Sequence, residues 1–233
     1  MILQGKTAVV VGGGQTPGAT IGNGRATAMQ FAREGAEVLV ADRDLGSAGE
    51  TVVMIEDEGG RASACHVDVT EEASLQELSR EVLRRYGKVD VLHNNVGMSL
   101  AAGDAAVEDI TTDAIVNISS MAAWRPYPYV AYKATKAAVV AFTEQLAQTN
   151  ARYNIRANVI LPGLMNTPMA IESRVAAGTP RKTVVSERDK RVPLGRKMGT
   201  AWDVAHAAAF LASDRAGFIT GVALPVDGGS SVS

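Results

Sequence analysis

The chain has 233 residues, 46% of them apolar and 21% charged, with a formal net charge of −2 at pH 7. That length and mixture suit one α/β domain with a substantial core, and the balanced charge offers no basic surface to nucleic acid or an anionic membrane. The lone Cys65 excludes an internal disulfide, and with the scattered His66, His93 and His206 it has no zinc-like spacing, so no metal is expected.

The apolar N-terminal run is too short for a signal-peptide core, and no stretch approaches membrane-spanning length, so a cytoplasmic chain is expected. Short β-branched runs then alternate with helical patterns, the mark of βαβ units around a parallel sheet. A first strand over 7–11 runs into Gly12-Gly13-Gly14-Gln15-Thr16-Pro17-Gly18-Ala19-Thr20-Ile21-Gly22-Asn23-Gly24, and a helix follows over 25–34. Glycines let the backbone approach a pyrophosphate, and a helix N-terminus offers free N–H groups and the positive end of its dipole. Between a first strand and a first helix this is the placement a dinucleotide site requires. Gly12, Gly14, Gln15, Thr20, Ile21 and Gly22 are the candidate contacts. The second strand, over 37–41, ends at Asp42, whose carboxylate can accept from ribose hydroxyls and would repel a 2′-phosphate. That favours NAD over NADP, although the adjacent Arg43 offers a phosphate a partner.

A helix is expected over 47–58, a strand over 62–67, a helix over 74–86 and a strand over 89–93. Asp68-Val69 and Asn94-Asn95-Val96-Gly97 follow the two strands, at carboxyl ends where open α/β sheets bind ligands. Asp68, Val69, Asn94, Val96 and Gly97 therefore join the cofactor candidates, with turn formation as the plainer role for the asparagines. A strand over 114–119 leads into Ser119-Ser120, and a helix over 131–150 opens with Tyr132-Lys133-Ala134-Thr135-Lys136. Tyr132 and Lys136 are four apart and share a helical face. An ammonium beside a phenol favours its ionised form and lowers its pKa, so Tyr132 could exchange a proton with an oxygen on the reacting carbon. A serine at the strand end could hydrogen-bond the same oxygen. A strand over 155–161 precedes Pro162-Gly163. The charged stretch 164–199, with Pro168, Pro180 and Pro193, is long enough to be a functional lid or a disordered segment. A helix over 202–213 and a strand over 219–225 complete the series.

Ser120, Tyr132, Lys136 and the glycine loop together resemble the short-chain dehydrogenase/reductase family. The resemblance runs nearly end to end, through Gly22-Asn23-Gly24-Arg25-Ala26, Asp68-Val69, Asn94-Asn95-Val96-Gly97, Asn117-Ile118-Ser119-Ser120, Tyr132-x-x-x-Lys136, Pro162-Gly163 to Thr167, and Val226-Asp227-Gly228-Gly229. It implies a single Rossmann-like, doubly wound domain over 1–233 with a seven-stranded parallel sheet. The implied activity is hydride transfer between NAD(H) and an alcohol or ketone carbon. Tyr132 would be the general acid/base, Lys136 would lower its pKa and hold the nicotinamide ribose, and Ser120 would orient the substrate oxygen. Pro162, Gly163 and Thr167 would seat the carboxamide, residues 168–193 would cover the substrate, and the assembly would be a homodimer or homotetramer. Ser119 is a rival for Ser120, because it keeps the twelve-residue gap to the tyrosine usual in the family.

Two features depart from the pattern. The glycine loop is longer than usual, with Gln15 to Thr20 inserted, and resembles that of enoyl-thioester reductases. Tyr129 stands seven before Lys136, the spacing of that branch, so enoyl reduction is the alternative activity. Between Gly97 and Ala114 only sixteen residues remain where the family has a long helix, so that helix is shortened or missing, or a native stretch is absent from this sequence. A crossover is still possible at about a dozen residues. A true loss would uncover part of one sheet face and admits a third reading, a non-catalytic NAD(P)-binding protein.

Overall fold

In a computed structural model of the chain, residues 1–96 and 113–233 are described. Val9, Val10 and their neighbours make the first strand apolar on both sides, and all five of its residues are buried, as a central parallel strand requires. The described elements in order are β1 (Thr7–Val11), α1 (Asn23–Arg33), β2 (Glu37–Asp42), α2 (Leu45–Asp57), β3 (Arg61–His66), α3 (Glu72–Tyr86), β4 (Val91–Asn94), β5 (Ala114–Ile118), α4 (Val130–Asn150), β6 (Arg156–Pro162), α5 (Pro168–Ala176), α6 (Arg181–Asp189), α7 (Ala201–Ala212) and β7 (Ala223–Val226). The strands form one seven-stranded sheet in the order β3-β2-β1-β4-β5-β6-β7, and every pairing is parallel. Strand order reverses at β1, between β2 and β4, and the crevice beyond the carboxyl ends of β1 and β4 is the place such sheets keep for a ligand.

Alternate residues of each strand serve opposite faces. Val10, Val38, Val40, Val116 and Ile160 pack with Phe31 of α1, Ile55 of α2 and Val204 and Ala208 of α7. On the other face Val9, Val11 and Leu39 pack with Leu78 and Val82 of α3. Ile115, Ala157, Val159 and Leu161 pack with Val140 and Ala147 of α4. The partly buried Leu92 of β4 touches both the α3 and the α4 clusters. The shortened helix expected between β4 and β5 lies outside the described residues.

Most elements fall within two residues of expectation, and two differences have a physical cause. Strand β7 begins at Ala223 rather than at residue 219 because side chains take over the pairing there: Thr220 Oγ1 accepts from Ala157 N at 3.1 Å, and Asn158 Nδ2 donates to Ile219 O at 3.0 Å. Gly221 between them is left-handed, at φ 75°. The 164–199 stretch contains two short helices. Pro168 opens α5 at a position where its missing N–H costs nothing, and Pro180 caps α6. Ile171, Val184, Val192 and Met198 form a small core under them. Among the described residues no helix is long and apolar enough to cross a membrane.

Candidate active site

The glycine loop lies at the C-terminal end of β1. Gly12 is left-handed at φ 78°, and a Cβ on Gly24 would lie 1.8 Å from Gly12 O, so only glycine lets α1 start this close to the strand. Asn95 Nδ2 donates to the same Gly12 carbonyl at 3.1 Å and holds the turn from the β4 side. The inserted residues are tied down locally. Gln15 N donates to Ser47 Oγ at 2.9 Å, and Gln15 Oε1 accepts from Gly22 N at 3.0 Å. The Gly22 amide, expected to be free for a phosphate, is therefore already bonded within the loop. Thr20 Oγ1 and Asn23 Oδ1 are buried without a protein partner, and buried polar groups in that condition call for a ligand or water. Ile21 packs into the core beside Ala26 and Ala201. Close backbone approach, a helix N-terminus and orphaned polar atoms fit a dinucleotide pyrophosphate.

Asp42 stands at the end of β2 with Oδ2 accepting from Gly14 N at 2.9 Å and Oδ1 from Asp44 N at 3.0 Å. Each carboxylate oxygen keeps a lone pair for a hydroxyl. Arg25, which follows the glycine run, is buried and bonded to Thr51, Ser47 and Glu50, so it braces α1 against α2. Asp68 Oδ1 accepts from Thr70 N and Thr70 Oγ1, which lowers its pKa, and Val69 packs against the α3 cluster. Asn94 donates to Asn117 Oδ1 at 2.9 Å, Asn117 donates to Thr143 Oγ1 at 2.9 Å, and Val96 is exposed. Gly97 lies outside the described residues.

Pro162 ends β6, and Gly163 N donates to Val226 O. A Cβ on Gly163 would meet Asp227 at 2.7 Å. Thr167 is buried at the N-cap of α5, and the Oδ1 of nearby Asn166 is buried without a partner. The 164–199 stretch reaches the glycine loop: Glu172 of α5 accepts from Arg181 and, at 3.5 Å, from Ala19 N.

Ser119 is 3% exposed and donates to Lys136 O at 2.6 Å. Ser120 accepts from Ala122 N at 3.1 Å, as cap of the turn Met121–Ala123, which leaves its O–H to donate. That hydroxyl interacts with the Tyr132 phenol. Burial raises the Tyr132 pKa above its ordinary value, Ser120 opposes the rise, and Tyr127, whose ring centroid is 5.3 Å away, adds to it. The acidification of Tyr132 by Lys136 expected from the sequence is thus corrected. The buried Lys136 ammonium donates to Ile118 O at 2.9 Å, sits 5.9 Å from the Tyr132 ring centroid, and is itself depressed by burial to about 8. Its hydrogen bond goes to the Ile118 carbonyl rather than to the phenol.

Residues 6–114 match the family described as short chain dehydrogenase, and residues 110–231 the one described as Enoyl-(Acyl carrier protein) reductase. The 3beta-hydroxysteroid dehydrogenase 1 of Eggerthella lenta is 35% identical over 99% of this chain and 95% of its own. The chain belongs to the short-chain dehydrogenase/reductase family. A crystal structure from Burkholderia xenovorans, described as that of a short-chain dehydrogenase/reductase, matches this one with a TM-score of 0.88 and 36% identity over 99% of this chain and 98% of the other. The crystal structure of an NAD+-bound xylitol dehydrogenase matches with a TM-score of 0.84 and 28% identity over 97% of this chain and 99% of the other. The Eggerthella alignment spans 260 positions against 233 residues here, so that relative carries residues this short-chain dehydrogenase/reductase lacks.

Sequence reasoning missed several residues of this dehydrogenase/reductase. Lys133 Nζ donates to Ala122 O, Ala123 O and Arg125 O at 3.2, 3.0 and 2.9 Å, beneath the turn that carries Ser120. Ser47 clamps the inserted loop. Neither bears a local signal, because each acts on backbone distant in sequence. His93 is fully buried, as a structural histidine should be, with its ring edge-on to Phe31.

Proposed function

We propose that this chain is an NAD(H)-dependent oxidoreductase of alcohols and ketones, with Tyr132 as its general acid/base. The observation that carries the reading is that the Ser120 hydroxyl, free to donate, lies close enough to the Tyr132 phenol to oppose the rise of its pKa at the carboxyl edge of the sheet. Bound NAD(H) supplies hydride donation or acceptance at the reacting carbon. Ser120 donates a hydrogen bond to the substrate oxygen; on reduction the Tyr132 phenol gives its proton to that oxygen, and on oxidation the Tyr132 phenolate takes the proton from it. Lys136, behind Tyr132, is the cation available to the ribose hydroxyls. Pro162, Gly163 and Thr167 receive the carboxamide, and the glycine loop and Asp42 hold the adenosine half. An acid at the end of β2 favours NAD over NADP, and the NAD+-bound xylitol dehydrogenase supports the same choice. Tyr129, the tyrosine of the enoyl-reductase spacing, is 67% exposed at the start of α4, which supports Tyr132 instead.

Residues 164–199 are read as the substrate lid. Val130 and Phe142 on α4, together with Phe218, are exposed apolar side chains that suit contact with further copies in a dimer or tetramer.

The test is a panel of secondary alcohols and ketones assayed with NAD and NADP in parallel by reduced-nicotinamide absorbance. Wild type should turn over with NAD preferred. Tyr132→Phe should lose at least ~10³-fold in kcat while its NADH affinity stays within about twofold. Full activity in that variant would remove Tyr132 from the chemistry. A wild type that binds NADH but reacts with nothing would favour the non-catalytic reading.

A further inference from the structure

Arg188 is a charged residue inside the lid. It lies one turn after Val184 on the inner side of α6, is only 8% exposed, and reaches Met198, a member with Ile171, Val184 and Val192 of the small core there. A buried guanidinium ordinarily has a carboxylate partner, because removing an unpaired charge from water is costly. Among the described residues none lies within ion-pair distance of Arg188. Its Nε donates to the thioether of Met198 at 3.2 Å, a weak acceptor, and Nη2 reaches Met165 O only at 3.4 Å. Nη1 has no partner among the described residues and is not fully enclosed. The nearby acids are committed elsewhere: Asp189 accepts from Met198 N, and Glu172 pairs with Arg181. Burial brings the Arg188 pKa down to about 10, so the group stays charged at neutral pH.

Its neighbours connect it to the proposed site. Met165 lies between Gly163 and Thr167, on the stretch read above as the nicotinamide seat. Tyr127 lies within electrostatic reach of Arg188 and packs its ring against that of Tyr132. We propose that Arg188 binds a carboxylate on the substrate, making the preferred substrates hydroxy acids or keto acids. A guanidinium offers a carboxylate two parallel N–H donors, and here the apolar lid core would exclude competing water. This rests on the reading of the chain as an alcohol/ketone oxidoreductase.

The experiment compares matched pairs with NAD+: 3-hydroxybutyrate against 2-butanol, and 4-hydroxypentanoate against 2-pentanol. The proteins are wild type, Arg188→Met and Arg188→Lys. Wild type should favour at least one acid about tenfold or more in kcat/KM. Arg188→Met should lose that preference through KM and keep its rate on the neutral alcohol, and Arg188→Lys should fall between. Separately, the preferred acid should raise the melting temperature of the wild-type NADH complex and leave that of Arg188→Met unchanged. Replacing an unpaired buried charge by an apolar chain of similar length is compatible with folding; should Arg188→Met not fold, the lysine variant carries the same comparison. Neutral turnover without acid preference, or an unchanged preference in Arg188→Met, overturns the role of Arg188 and leaves the oxidoreductase reading intact. If no substrate is turned over, that reading falls, and the melting shifts decide anion binding alone: a shift lost in Arg188→Met upholds it, and no shift overturns it.

Discussion

At the scale of single residues, the two serines closing β5 are separated by where their hydroxyls point. Ser119 is committed to the Lys136 carbonyl, and Ser120 keeps its proton free beside Tyr132. Ser120→Ala should therefore lower kcat by about 10²-fold with little change in thermal stability. Ser119→Ala should leave kcat within a few-fold and lower stability by about 1 kcal/mol, the worth of one buried hydrogen bond. Steady-state kinetics and chemical denaturation of the two variants check both, and the reverse pattern would reassign the serine. Counting residues to Tyr132 pointed to Ser119, because spacing carries no information about rotamer. Tyr132 and Lys136 were legible as a pair, since four residues on a helix fix a shared face. Their electrostatic relation was not, because the Ile118 carbonyl that captures the ammonium belongs to another element.

At the scale of elements, β5 with its following turn is joined to α4 by four polar ties: Asn117 to Thr143, Ser119 to Lys136 O, Lys136 to Ile118 O, and Lys133 to the three carbonyls that follow Ser120. The turn carrying Ser120 is thereby fixed to the first turn of the helix carrying Tyr132. Lys133→Met should lower kcat about tenfold while KM for substrate and NADH affinity hold, and should destabilise the fold by about 2 kcal/mol. A loss of stability with kcat unchanged would make Lys133 purely structural. The seven strands and five of the seven described α-helices were readable because their apolar periods are long and their burial is two-sided or amphipathic. Helices α5 and α6 were not, because each has nine residues and a charged outer surface, and their small shared core draws on residues spread from 171 to 198.

At the scale of the molecule, the α1, α2 and α7 side has one large continuous cluster beside a small one of Ala26, Ala201 and Ala205, and the other side is divided among smaller ones. His93 points into the continuous side, with both ring nitrogens unpartnered and its pKa lowered by burial to about 3. The native chain resists protonation there, while the unfolded chain accepts a proton near pH 6.5. Stability from this group is present above about pH 6.5 and is lost as pH falls toward 3, at up to ~1.4 kcal/mol per pH unit. His93→Leu should flatten the acid limb of stability against pH, measured as urea midpoints between about pH 4 and 7. An unchanged limb would place the acid sensitivity in other groups. The parallel sheet was legible from alternation and its doubly wound order from the family resemblance, whereas buried partners such as Phe31 for His93 depend on packing across the sheet.

The private core under α5 and α6 has an implication for how such a chain diversifies. Ile171, Val184, Val192 and Met198 lean chiefly on one another, while the residues assigned to proton handling are anchored to β5 and α4. If the 164–199 stretch covers the substrate as proposed, a substitution in that core can redraw what the crevice admits without disturbing the residues proposed for proton transfer, so selection can tune recognition and reactivity on separate parts of the chain.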